Sequence, residues 1–143
     1  MNNPLDDPIP NPLYKGVGTL RLSEDLKEDA LPIGIRIGSA TYLAMIQGVR
    51  QPTELDKTTL WFGEQETAID YCKKHGQSIL LKIDLTGYTV TRSGMSYYTT
   101  VPIPWDRVTY SKNNDTYGAL QQNQSLPQDA KDYSIEDDSD DDL

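Results

Sequence analysis

The chain has 143 residues, 36% of them hydrophobic, and a net charge of −9. From Ser111 onward nine acids face two lysines, which puts −7 of that charge in the last stretch and leaves the body with −2 and no basic stripe for a duplex phosphate backbone. A single cysteine, Cys72, excludes an internal disulfide, no apolar run reaches membrane-spanning length, and the N-terminus lacks the basic and apolar regions of a secretory signal. The expectation is a soluble cytoplasmic monomer that engages neither duplex nucleic acid nor membrane. A protein delivered into a host cytosol by a dedicated secretion system would carry the same composition.

Residues 1–13 hold four prolines and two aspartates and read as an extended arm. "GVGTLRLS" (16–23) reads as a first strand, and 24–32 as a turn or one short helix ended by Pro32. "IGIRIG" (33–38) alternates and is β-branched, the pattern of a strand. Ser39 is a good N-cap for a helix over 40–48, which would place Tyr42, Met45, Ile46 and Val49 on one face.

"TTLWF" (58–62) reads as a short buried strand, and Gly63 permits a change of direction. A helix over 64–75 follows. Glu64 and Glu66 sit at its positive end, Lys73 and Lys74 at its negative end, Gly76 serves as the C-terminal cap, and Ala68, Ile69 and Cys72 form the inward stripe. "SILLKIDL" (78–85) is a strand with Ile79, Leu81, Ile83 and Leu85 on one face. Further strands are expected at 88–91, 97–101 and 107–111. Beyond Ser111 the composition turns to Asn, Gln, Ser and Asp, the signature of a disordered acidic tail over 112–143. The order of elements is α+β, with one domain over 14–111.

Four pieces, taken together and in order, resemble the ADP-ribosyltransferases. "GIRIGSATYLAMIQGVRQP" (34–52) resembles that superfamily's first strand–helix unit, and "TLWFGEQETAIDYC" (59–72) its second. "SILLKIDL" follows where the family has a strand of that character, and "IPWDRVTYS" (103–111) resembles the closing strand with its acidic residue. The resemblance implies split antiparallel sheets with two short helices, and NAD held by its nicotinamide in the cleft between the sheets. A backbone N–H and C=O pair on the first strand holds the carboxamide there. A carboxylate stabilises the positive charge that develops on the ribose as nicotinamide leaves. No metal is required.

Carried over by position, the resemblance makes Gly38 the clamp residue, followed by Ser39. Trp61 takes the central aromatic place, Tyr71 that of the stacking ring, Thr67 that of a hydroxyl reaching the carboxamide, and Asp106 that of the catalytic acid. The His of the polymerase-like branch falls on Ile37, which cannot hydrogen-bond. The toxin-like branch instead places an Arg on that strand, and Arg36 would then hold the NAD phosphates, with Thr58 or Thr59 in the place of that branch's Ser. The activity implied is mono-ADP-ribosylation of a protein acceptor, in the manner of an effector or toxin. The alternative, favoured by the Ile37–Trp61–Asp106 set, is a catalytically inactive binding module of the same fold.

Overall fold

A computed structural model describes residues 8–112 and 117–126. The described residues are α+β, with several small antiparallel sheets and four helices. Strand β1 (Leu13–Val17) leads into helix α1 (Thr19–Asp25) and the two-residue strand β2 (Ala30–Leu31). Helices α2 (Ala40–Ile46) and α3 (Glu54–Thr58) come next, then strand β3 (Leu60–Phe62), helix α4 (Gln65–His75) and strand β4 (Ile79–Ile83). Strands β5 (Thr91–Ser93) and β6 (Ser96–Thr99) form a hairpin, followed by β7 (Ile103–Pro104), a 3₁₀ turn over Trp105–Arg107, β8 (Val108–Ser111) and β9 (Gly118–Ala119).

One sheet has the order β1-β4-β8-β9, a second β3-β6-β5, and β2 pairs with β7. The registers of the first sheet align Leu13 with Ile83 and Val108 at one end, and Gly16 with Leu80 and Ser111 at the other. The first two sheets meet at one bridge, where Tyr14 and Gly63 exchange both backbone hydrogen bonds at 2.7 and 2.8 Å. Below that bridge the free edge of β1 and the end of β3 part, and the molecule is split there.

The core lies on the face of the first sheet that carries Leu13, Val17, Leu81, Ile83 and Val108, against Leu22, Leu31, Leu60 and Ile103. Helix α4 covers the other face of β1 and β4. That second cover is why Leu80 is buried as well as Ile79, Leu81 and Ile83, where alternation alone predicts one buried face. The tight seat of α4 on β1 depends on Gly16, where a Cβ would stand 2.6 Å from the Cys72 sulfur.

Several elements expected from the sequence are placed as expected. Ser39 caps α2, its hydroxyl accepting from the Tyr42 amide at 3.0 Å. Helix α4 ends at Gly76 with φ 67°. Strands β3, β4, β6 and β8 fall inside their expected ranges or overlap them.

Others are corrected. The first strand lies earlier, at Leu13–Val17, and 19–25 is helix, because Leu22 and Leu26, with Arg21 and Asp25, recur at helical spacing on a buried face. The expected strand over 33–38 is a loop. Gly34 and Gly38 take φ of +94° and +87°, which breaks the pleat, and Ile37 is 47% exposed. The 88–91 strand begins only at Thr91. The resemblance implies two helices, and the described residues hold four.

The face expected on α2 is split, with Tyr42 and Met45 half-buried and Ile46 59% and Val49 73% exposed. On α4, Ala68 is buried while Ile69 and Cys72 are half-buried. The boundaries at 13/14 and 111/112 also move. Leu13 is fully buried at the start of β1, and Gly118–Ala119 pairs with β8 while Leu120 joins the core. The rest of the acidic stretch, 113–116 and 127–143, and the start of the arm, 1–7, lie outside the described residues.

Candidate functional site

A cleft of about 370 Å³ opens where the two sheets part. Its floor is Tyr14, Lys15 and Gly16 from β1, and one wall is β3 with Gly63. Thr67, Ala68 and Tyr71 of α4 close one side, and Arg21, Ser39, Thr41, Arg50 and Asp56 close the other.

The floor presents an amide edge. Tyr14 turns its N–H and C=O outward to Gly63. In a strand these groups alternate sides, so Gly16 turns its own pair to the same edge, away from β4. No hydrogen bond among the described residues uses them, so a donor and an acceptor stand side by side at the bottom of the cleft.

Charge is concentrated in one corner. Arg21 is nine-tenths buried, and its Nε lies 3.4 Å from the wholly buried carboxylate of Asp25. Asp25 also receives Arg36 Nε at 2.8 Å. The Lys15 amine crosses the split and donates to the carbonyl of Trp61 at 2.8 Å. Desolvation, with the Arg21 charge adding to it, holds the Lys15 amine well below the usual lysine range, and Asp25 offsets only part of this. The opposite wall is latched by Arg50, which binds both oxygens of Asp56 at 2.7 and 2.6 Å and the Thr41 hydroxyl at 3.2 Å. Partial burial works against an ionised Asp56. The hydrogen bonds of Thr53 and Arg50 outweigh it and hold the carboxyl below its ordinary range.

The sequence-derived site residues divide. Trp61, Thr67 and Tyr71 line the cleft, as does Ser39. Trp61 is oriented by its Nε1–H on the Thr59 hydroxyl at 2.7 Å and by Tyr98, whose ring centroid is 4.8 Å away. Tyr71 lies against His75, and burial pushes its phenol up.

Gly38, Arg36 and Asp106 do not line it. Gly38 packs against the backbone of Arg21 in a turn, and Arg36 is committed to Asp25 and to Glu28 at 3.7 Å. Asp106 is exposed in the 3₁₀ turn two residues before Val108. The register puts that turn beyond the Leu13–Ile83 end of the sheet, two strands across and at the opposite end from Gly16. The glycine on the floor, Gly16, and the buried cation, Arg21, were missed. Their signal was "LYKGVG" followed by a helical Arg21-Leu22…Asp25-Leu26 spacing, which alternation disguised as a strand.

No family model matches the chain, and no curated protein does either. Among the described residues no helix is long and apolar enough to cross a membrane.

Proposed function

We propose that the cleft binds NAD, and that the protein is a module of the ADP-ribosyltransferase kind that holds the dinucleotide without transferring ADP-ribose. The observation that carries the reading is the N–H and C=O of Gly16, unpaired among the described residues, at the bottom of a cleft between two split sheets, with aromatic and cationic side chains around it. A primary carboxamide offers the complementary acceptor and donor, so the nicotinamide amide fits that edge. The clamp role then falls on Gly16, on the true first strand, instead of Gly38.

The other residues fit the remaining parts. Tyr71 and Trp61 supply flat apolar surface for a ring. Arg21 takes the role assigned to Arg36, since it lines the cleft and phosphates are natural partners of a guanidinium. Bound NAD would supply a glycosidic bond to nicotinamide whose cleavage leaves positive charge on the ribose. A carboxylate must meet that charge for turnover.

Binding is favoured over turnover because the acid expected to do this, Asp106, lies away from the cleft. Mono-ADP-ribosylation of a protein acceptor is the second reading, and Asp56 is the observation that favours it. It is the one carboxylate among the described residues lining the cleft, and its environment keeps it ionised. Calorimetric titration with NAD tests the first reading, and nicotinamide release from labelled NAD tests the second. Absence of NAD binding by the full chain overturns both.

A further inference from the structure

Lys15 occupies a core position. Leu13 and Val17, its neighbours on the same face of β1, are both fully buried, and Leu81 pairs beside it. A lysine is almost never fully buried unless paired, and Lys15 is only half-buried, its stem beside the core and its amine reaching across the split to the Trp61 carbonyl. Two cationic side chains, Arg21 and Arg36, already hold the one buried carboxylate near Lys15, Asp25, and Arg36 makes the shorter contact with it. Lys15 makes no ion pair among the described residues.

The groups near its amine are Arg21 and Asp25 from α1 and the Trp61 carbonyl from β3, while Tyr71 and Cys72 of α4 pack on the opposite face of β1 at Gly16. Arginine keeps its proton in any such cluster, whereas lysine can release one. A neutral amine donating to a carbonyl retains its lone pair. An amine desolvated beside another cation, in an open cleft, is the setting in which lysines attack carbonyl carbon.

We propose that Lys15 forms a Schiff base with the open-chain aldehyde of a phosphate-bearing sugar, its phosphate held at Arg21. The Nζ lone pair attacks the aldehyde carbon to give a carbinolamine. The carbinolamine then loses water, which carries away the carbonyl oxygen and the two amine hydrogens, and a C=N bond remains. No oxidant or reductant is consumed. The inference rests on the cleft and its cations and does not require NAD to be a ligand. ADP-ribose, which carries such an aldehyde, is the sugar that would join the two readings.

The test is reductive trapping on the full chain. Protein is incubated at pH 7.5 with ribose 5-phosphate, and separately with ADP-ribose, then reduced with cyanoborohydride and peptide-mapped by mass. The expected result is an adduct at Lys15 at least tenfold above that at the exposed Lys27, Lys73 and Lys74, and competition by inorganic phosphate. Lys15→Arg should lose it while keeping the wild-type circular dichroism. Should that variant misfold, the distribution of adducts in the wild-type map decides by itself. Equal labelling of the exposed lysines, or none at Lys15, overturns the proposal. Calorimetry with NAD, which has no free aldehyde, is run in parallel. NAD binding without trapping overturns only the Schiff base, and trapping without NAD binding overturns only the NAD reading.

Discussion

Tyr14 and Gly63 exchange their backbone hydrogen bonds at 2.7 and 2.8 Å, and this pair joins two sheets that otherwise diverge. Because Tyr14 faces that edge, Gly16 two residues on faces it too, beyond the reach of β3. The opening that results is a matter of register: one residue of slip would turn the Gly16 amide pair toward β4 and put Lys15 on the α4 face.

Gly16→Ala should destabilise the protein by about 1–3 kcal/mol, the usual cost of overpacking. Its Cβ would meet the Cys72 sulfur at 2.6 Å, the Tyr71 ring at 3.2 Å and the Ala68 carbonyl at 3.3 Å. Thermal denaturation checks this. Adding Cys72→Ala removes the nearest atom and should recover part of the loss. A melting temperature for Gly16→Ala equal to wild type would show that α4 does not sit on β1 as described.

Truncation after Lys112 should lower the melting temperature clearly. It removes the β9 pairing with Thr109 and Tyr110, the buried Leu120, and the Asn123 amide bond to the Leu26 carbonyl at 2.7 Å. Leu120→Ala in the full chain should cost about 2–5 kcal/mol, as core truncations do. Calorimetric melts of both variants decide it, and unchanged melts would return the boundary to Ser111.

Asp56→Asn and Asp106→Ala should behave differently. Asp106 is exposed and away from the cleft, so its loss should leave NAD affinity and any nicotinamide release at wild-type level. Asp56→Asn weakens the Arg50 latch, so NAD affinity should shift. If the protein turns NAD over, the rate should fall by about a hundredfold, as when a transition-state charge partner is lost. Loss of release in Asp106→Ala alone would restore Asp106 as the acid.

Lys15 should make stability rise with pH on the alkaline side. Its folded pKa lies below its unfolded value near 10.5, so between the two the unfolded chain binds more protons, and stability grows as pH rises through that window. Tyr71 acts in the opposite sense, and only from its unfolded value of about 10 upward. Cys72, whose thiol burial pushes up to about 11, also acts in that opposite sense and does so from its unfolded value near 9. Urea unfolding from pH 7 to 9.5 in a Cys72→Ala background should therefore show a rising midpoint with Lys15 present and a flat one in Lys15→Met. Equal slopes would mean that the amine is not desolvated.

Local signals were legible in the sequence wherever one element answers to its own residues. The Ser39 cap, the α4 dipole charges with Gly76, the β4 run and the aromatic pair on β3 needed no partner to be read, because capping, helix charge and left-handed glycine are short-range physics. Trp61, Thr67 and Tyr71 were identified as cleft residues on a strand and the helix that follows it, where near sequence neighbours stay near in space.

What the sequence could not decide was pairing. "IGIRIG" has the alternation of a strand, but a strand needs a partner edge, and two glycines in the left-handed region leave that run without one. "GVGTLRLS" reads as alternating, yet its second half turns helical because Leu22 and Leu26 are both drawn into a core assembled from β4, β7 and β8. Asp106 fits a motif but lies at the wrong end of β8, a fact carried only by the register Leu13–Ile83–Val108. The cleft itself joins β1 to β3 and α4, as at Tyr14–Gly63 and Lys15–Trp61, across more than forty positions. Such contacts form only when the two sheets close on the Tyr14–Gly63 bridge, so tertiary structure alone determined them.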